Sequence, residues 1–196
     1  STVTEDSGRL QYDSMEKMME LERAGIVDGY SMAPITKAGF HAAGLDFSSE
    51  FEVFAKFYGV PKCASVIKCE NIFRSTVVGH CAFREIVERL TPDGIVDTAH
   101  ALLDTLAIFL GRENCRIAVA ALNPHAGEDG LFGNEEATII QPAIDRLLAE
   151  GNQVIGPCPA DTVFLKARSG EVGGVVFLYH DQGNIAMKSC FFGDGV

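Results

Sequence analysis

The sequence has few basic residues and no long apolar run. Its 196 residues include 16 Lys and Arg against 27 Asp and Glu, which gives a formal net charge of -11. A surface that neutralises phosphates needs clustered Lys and Arg, so this charge balance argues against nucleic-acid binding. No apolar stretch approaches the roughly 18 residues of a membrane-spanning helix. We therefore expect a cytoplasmic protein that binds neither nucleic acid nor membrane.

Closely spaced cysteine pairs are also missing. The six cysteines are scattered along the chain, and no Cys-x-x-Cys motif occurs. The scatter also lacks the spacing of a small disulfide framework. We interpret the cysteines as reduced thiols, most of them small core residues, which agrees with a cytoplasmic location.

The sequence does contain an alternation of helical and strand patterns. Continuous apolar runs at residues 115–122 and 173–180 predict strands that are buried on both faces. Residues 64–79 predict a hairpin with its turn at Glu70 and Asn71, and residues 26–34 predict a short buried strand. This alternation predicts a three-layer α/β/α fold with a mainly parallel, mixed sheet. Helices are predicted at residues 4–25, 48–59, 81–90, 91–111 and 134–151.

Three of the five histidines follow predicted strands. His80 comes after "FRSTVV", His125 after "RIAVAAL" and His180 after "VVFLY". Open α/β sheets place their ligands at the carboxyl ends of strands. Three neutral imidazoles suit a borderline divalent ion and leave a coordination position for substrate or water. Placement alone leaves two interpretations open: a shared metal site, or three unrelated loop histidines bonded to the backbone.

The residues near these histidines favour a binding site. The loop "NPHAGEDG" contains Gly127 and Gly130, which allow a bound group to approach the backbone closely. Asp181 and Gln182 directly follow His180, where either side chain can orient the imidazole or contact substrate. Lys188 either faces solvent or holds an anionic substrate and assists proton transfer.

Several segments resemble the 4-hydroxythreonine-4-phosphate dehydrogenase family of vitamin B6 (pyridoxine) biosynthesis. They are "MAPITKAGFHAAG", "ALNPHAGEDGLFGNEE", "GPCPADTVF" and "LYHDQGNIAMK". The resemblance implies a two-subdomain fold similar to that of the isocitrate and isopropylmalate dehydrogenases. It also implies a homodimer whose active site is shared between the subunits. In that site His80, His125 and His180 bind a divalent metal, zinc foremost, with magnesium, cobalt or manganese as alternatives, and Lys188 is the substrate-binding and catalytic lysine.

The resemblance implies an oxidoreductase that uses NAD or NADP to oxidise the secondary alcohol of a hydroxy acid. The bound metal lowers the pKa of the hydroxyl and stabilises the developing alkoxide. In the B6 enzyme, carbon dioxide is then lost from the β-keto acid. We assign no residues of this chain to the dinucleotide.

The sequence departs from the family pattern in two ways. First, Ser49, Glu50, Phe51 and Glu52 replace a Gly-His-Thr-Glu stretch whose His and Thr contact substrate. This indicates a paralogue that acts on threonate or erythronate phosphate, or on a cis-dihydrodiol of an aromatic acid. Second, residues 1–196 match only the central metal-binding and dimerisation portion of the family, without its terminal segments. The alternatives are a non-catalytic metal-binding dimer and, more remotely, a metallo-hydrolase with Glu128 or Asp181 as its base.

Overall fold

Five strands between residues 66 and 179 form one mixed sheet. Their spatial order is β1-β2-β5-β3-β4, in which β1 is antiparallel to β2 and the remaining neighbours are parallel. Glu70 turns between β1 and β2 with a φ of 49°, so the predicted hairpin is confirmed. The strands are β1 (Val66–Cys69), β2 (Ile72–Val78), β3 (Arg116–Ala120), β4 (Gln153–Cys158) and β5 (Gly174–Tyr179).

The computed structural model describes residues 3–47, 49–60, 63–111 and 115–191. The chain forms two units, residues 1–63 and residues 64–196, and the second contains the sheet. The helices of the first unit are α1 (Glu5–Arg23), α2 (Lys37–Ala42) and α3 (Glu50–Tyr58), and those of the second are α4 (Ile86–Arg89), α5 (Pro92–Leu110), α6 (Gln141–Ala149), α7 (Ala160–Arg168) and α8 (His180–Phe191).

Helices cover both faces of the sheet. Successive side chains of β3 point to opposite faces, so Ile117 packs with α5 and α6 while Ala118 packs with α7 and α8. β5 lies in the middle of the sheet and is buried from Gly174 to Leu178. The continuous apolar runs were therefore interpreted correctly. The predicted three-layer α/β/α architecture with a mainly parallel mixed sheet is confirmed.

The first unit has its own small core, formed by side chains of α1, α2, α3 and the adjoining loop. Thr4 caps α1 by accepting a hydrogen bond from the backbone of Ser7, and Gly59 ends α3 with a φ of 69°. The buried side chains are Met15, Met19, Phe40, Phe47 and Val53.

Two predictions from local pattern failed. Residues 26–34 form no strand; they are irregular and mostly exposed, with Ile26 68% accessible. Asp28 and Gly29 interrupt this segment, and both residue types disfavour strands. Conversely, β4 and α7 were not predicted. The β4 sequence "QVIGPC" contains Gly156 and Pro157, which rarely occur together in a strand interior.

None of the described helices combines the length and the apolar character that crossing a bilayer requires.

Candidate metal-binding site

The three predicted histidines all follow strands of the sheet. His80 lies two residues after β2, His125 five residues after β3, and His180 directly after β5 as the first residue of α8. Because β2, β5 and β3 are adjacent and parallel, their carboxyl ends lie at one edge of the sheet. The structure therefore places His80, His125 and His180 where α/β sheets bind ligands.

His80 and His180 lie side by side. Val78 of β2 pairs with Tyr179 of β5, and this register brings the two following loops together. The imidazole centroids are 4.7 Å apart and the rings are inclined by 43°. Two imidazoles on one ion, each with an N–metal distance of about 2.0–2.1 Å, place their centroids about 4.5 Å apart at a right angle and about 5.2 Å apart at the tetrahedral angle. The spacing of the pair fits two ligands of a single metal.

His180 is oriented by its neighbour. The Nδ1 atom of His180 lies 2.7 Å from Oδ1 of Asp181. A carboxylate on one ring nitrogen favours a proton there and leaves the other nitrogen as the acceptor. This contact therefore makes Nε2 of His180 the nitrogen available to a metal. The contact is the one expected of a residue that orients His180.

Gln182 connects the two central strands at this edge. Its Oε1 accepts a hydrogen bond from the Leu178 backbone N–H, and its Nε2 donates to the Ala121 carbonyl, both at 2.8 Å. The side chain thus links the end of β5 to the end of β3. These two bonds engage both polar atoms of the side chain without a histidine, so Gln182 fixes the start of α8.

His125 is carried by an unusual turn. Five consecutive residues from His125 to Asp129 adopt positive φ, between 42° and 81°, and Gly127 is their single glycine. Left-handed conformations cost roughly 1–2 kcal/mol for each residue other than glycine. Such a turn persists only when its surroundings hold it in place.

The side chain that holds this turn is Glu136. It is 7% exposed, and its Oε1 accepts the backbone N–H groups of Leu122 at 2.9 Å and Asn123 at 2.7 Å. Its Oε2 accepts from the Asn123 side chain at 2.9 Å. Burial acts to raise the pKa of Glu136, but the hydrogen bonds from Asn123 and Leu122 outweigh it and hold that pKa below its ordinary value.

Gly127 is required by the same contact. A β-carbon at this position would lie 2.8 Å from Oε2 of Glu136, and φ here is 81°. The sequence predicted close backbone approach at Gly127, whereas the role of Glu136 was not predicted. The sequence signal for it was its position, three residues after Gly133 and at the start of a helical pattern.

Beside the turn lies an open groove of about 510 Å³, lined by residues that include Ala126, Gly127, Gly133, Asn134 and Glu136.

Lys188 lies on α8, eight residues beyond His180, and is exposed. At about 1.5 Å per residue, its backbone is about 12 Å along the helix from that of His180. Positions eight apart differ by about 80° around the helix axis, so they lie on adjoining parts of its surface. Lys188 is therefore positioned to contact a ligand that begins at the histidines and extends along α8.

Within the described residues, no three His, Cys, Asp or Glu side chains converge as a metal site. The structure brings His80 and His180 together but does not add His125 to the pair. The donor set nevertheless suits a divalent metal, because both imidazoles stand at the sheet edge and Asp181 orients one of them.

Glu50 and Phe51, which depart from the family pattern, begin α3 in the first unit, where Phe51 packs edge-on against Phe54.

Fold and site together define a three-layer α/β protein with paired histidines at the carboxyl edge of parallel strands. The family model "Pyridoxal phosphate biosynthetic protein PdxA" matches residues 1–196. The chain belongs to this family, and the resemblance inferred from its motifs is confirmed.

Curated relatives and solved structures agree with this membership. D-threonate 4-phosphate dehydrogenase of Pectobacterium atrosepticum is 39% identical over 194 residues, which are 99% of this chain and 59% of that protein. 4-hydroxythreonine-4-phosphate dehydrogenase of Desulforapulum autotrophicum is 36% identical over 193 residues, 98% of this chain and 57% of that protein. A crystal structure of the Klebsiella pneumoniae 4-hydroxythreonine-4-phosphate dehydrogenase superposes with a TM-score of 0.92 at 35% identity. It is covered to 59%, and this chain to 100%. The chain thus spans somewhat more than half the length of these relatives.

Proposed function

We propose that this chain is the metal-binding part of an NAD(P)-dependent dehydrogenase that oxidises the secondary alcohol of a phosphorylated hydroxy acid. The observation that carries the proposal is the His80–His180 pair, 4.7 Å between centroids, at the carboxyl edge of a PdxA-family sheet. The names of the relatives supply the reaction class, since both curated relatives described above are dehydrogenases of four-carbon acid phosphates.

In this proposal His80, His125 and His180 hold a divalent metal, with zinc first and magnesium, cobalt or manganese as alternatives. When bound, the metal supplies Lewis-acid stabilisation of the alkoxide that develops as the alcohol is oxidised. Asp181 keeps the Nδ1 proton of His180 in place and so maintains Nε2 as a donor atom. Lys188 binds the acidic end of the substrate or moves the hydroxyl proton, and a bound NAD or NADP would supply the hydride acceptor.

The third ligand is proposed to come from a second copy of the chain. His125 does not join the other two histidines within the described residues of one chain. Exposed apolar side chains flank the candidate ligands: Phe83, just after His80, is 77% accessible, and Leu131, just after the His125 turn, is 71% accessible. A homodimer would cover such side chains and complete the metal site.

Metal binding to single and mixed variants tests this arrangement. We expect wild-type protein to bind Co²⁺ with the visible absorption bands of a histidine-ligated ion. His80→Ala, His125→Ala and His180→Ala should each lose most of this signal. Mixing His125→Ala with His80→Ala should restore part of it, because a mixed dimer contains one intact site. No recovery on mixing, with stable mixed dimers shown by native mass spectrometry, would contradict the shared site.

The reaction class is tested by NAD(P)H absorbance with D-threonate 4-phosphate, 4-hydroxythreonine 4-phosphate and an aromatic cis-dihydrodiol. We expect the phosphorylated four-carbon acids to be oxidised, with threonate phosphate ahead because Glu50 and Phe51 depart from the biosynthetic pattern. His125→Ala should abolish turnover. Co²⁺ binding without reduction of NAD or NADP by any of the compounds would favour the non-catalytic alternative.

A further inference from the structure

Arg74 is a buried cation whose partners are neutral. It lies in β2, is 4% exposed, and donates to Oγ1 of Thr76 at 2.7 Å and to Oδ1 of Asn184 on α8. Within the part of the chain that the structure describes, its Nε has no hydrogen-bond partner. Burial lowers the pKa of the guanidinium, which indicates that desolvation is not offset by a nearby carboxylate.

The fold gains little from this charge. A buried ion without an opposite charge carries a desolvation penalty, and replacement of buried ionic groups by apolar ones of similar size is often neutral or stabilising. The unpaired Nε–H adds to the penalty. The guanidinium is therefore better explained by what it does for Asn184 than by a contribution to packing.

Asn184 occupies a defined place on α8. It lies four residues after His180 and four residues before Lys188, so each side chain is the neighbour of the next, in a stripe that turns by about 80° around the helix. Because Arg74 donates to Oδ1 of Asn184, the amide oxygen faces the sheet and the NH₂ group of Asn184 is turned away from it. Asn184 is half-buried, and Lys188 is exposed one turn further on.

We propose that Arg74 is a positioning residue for the phosphate end of the substrate. It fixes Asn184 so that the amide N–H groups of Asn184 and the ammonium of Lys188 together bind a phosphate monoester. The proposal rests on the proposed function, in which the alcohol of the same substrate lies at His80 and His180. Along α8, Asn184 lies about 6 Å and Lys188 about 12 Å from His180. A short phosphorylated hydroxy acid that lies along the helix reaches this stripe.

The experiment measures binding of D-threonate 4-phosphate and of unphosphorylated D-threonate to Co²⁺-loaded protein by isothermal titration calorimetry. Arg74→Met and Asn184→Leu should each weaken binding of the phosphorylated acid by about tenfold, the size of one lost charge-assisted hydrogen bond. Binding of D-threonate should not change. The double variant should bind like Asn184→Leu alone, because Arg74 acts through Asn184. Arg74→Lys should recover part of the affinity.

Stability separates this role from a structural one. Arg74→Met should keep or raise the melting temperature while it weakens phosphate binding, which a residue needed for folding would not do. Arg116→Met is the matched control, since Arg116 is an exposed arginine at the start of β3, at the opposite edge of the sheet. The control should leave both affinities unchanged. Where Arg74→Met fails to fold, Asn184→Leu decides the question.

Three results would overturn the proposal. One is unchanged affinity for D-threonate 4-phosphate in Arg74→Met and Asn184→Leu with an intact Co²⁺ spectrum, which would leave the proposed function standing. The second is equal affinity of the wild-type protein for the phosphorylated and unphosphorylated acids. The third is absence of binding of the phosphorylated acid to Co²⁺-loaded wild-type protein. Loss of Co²⁺ binding by the wild type would instead contradict the proposed function itself.

Discussion

His180 and His125 reach the same edge of the sheet on two different kinds of backbone. His180 begins a regular helix whose start is fixed by Gln182, through bonds to β5 and β3. His125 lies in a left-handed turn in which four of the five residues are not glycine. The helix is stabilised by its own hydrogen bonds, whereas the turn depends on the buried carboxylate of Glu136. Two candidate ligands of one site therefore differ in what holds them, and substitutions should separate them.

The largest effect is expected from removing the carboxylate that supports the turn. Glu136→Leu leaves the backbone N–H groups of Leu122 and Asn123 and the Asn123 side chain without their acceptor. Unpaired buried donors cost about 1–3 kcal/mol each, so we expect a loss of about 3–5 kcal/mol in the free energy of unfolding. Urea denaturation measures it.

The control for Glu136→Leu is Glu135→Leu. Glu135 also accepts from the Asn123 side chain, at 2.7 Å, but it is only half-buried and accepts neither of the two backbone donors. Glu135→Leu should lower the free energy of unfolding by less than about 1 kcal/mol. Similar losses from both substitutions would show that the turn does not depend on Glu136.

A smaller effect is expected from Gly127→Ala. The new β-carbon would meet Oε2 of Glu136 at 2.8 Å in a residue whose φ is 81°. Left-handed strain plus displacement of the carboxylate should cost about 2–3 kcal/mol. Gly130→Ala is the matched control: its φ is 93°, and no described atom lies within 4 Å of its added β-carbon. Gly130→Ala therefore introduces the left-handed strain without a steric contact. Equal losses of stability in the two variants would show that contact with Glu136 adds nothing at Gly127.

The placement of the histidines followed from sequence, because long apolar runs mark buried strands and ligands gather at strand ends. The position of His180 in particular was predictable, because the apolar run of β5 ends directly before it. The His125 turn was not. Four residues that disfavour positive φ adopt it because Glu136, seven to eleven positions later in the chain, binds the backbone that leads into the turn. No local propensity contains that interaction.

Arg74 shows a similar limit of sequence analysis. Within "FRSTVV" it occupies a strand position that local pattern would assign to solvent, yet α8 covers it. Its partner Asn184 lies 110 positions away. Strand β4 was not predicted because Gly156 and Pro157 are unfavourable in a strand. Pairing with the neighbouring β3 stabilises the strand despite them. Tertiary packing decided all three cases.

On the His180 side, Gly183→Ala is expected to have a still smaller effect. The added β-carbon would lie 2.7 Å from Cδ2 of Phe177, a fully buried ring of β5. Overpacking costs about 1–3 kcal/mol, while alanine in a helix gains about 1 kcal/mol over glycine. We expect a net loss of up to about 2 kcal/mol in urea denaturation, less than for Gly127→Ala. A net gain in stability would show that Phe177 yields and that α8 is not closely packed on β5 at this position.

The smallest effect is the acid dependence that Glu136 confers on the turn. The folded-state pKa of Glu136 lies below its ordinary value of 4.5, because the hydrogen bonds outweigh burial. A depressed folded-state pKa contributes stability that is fully present above the unfolded-state value and is lost as pH falls through the folded-state value. We therefore expect the wild type to lose stability below about pH 4.5 by protonation of Glu136, among other carboxyls. Glu136→Gln should show a shallower decline than the wild type and Glu135→Gln, measured by urea denaturation across this range. Parallel curves for all three proteins would mean that Glu136 is not the group that couples the His125 turn to pH.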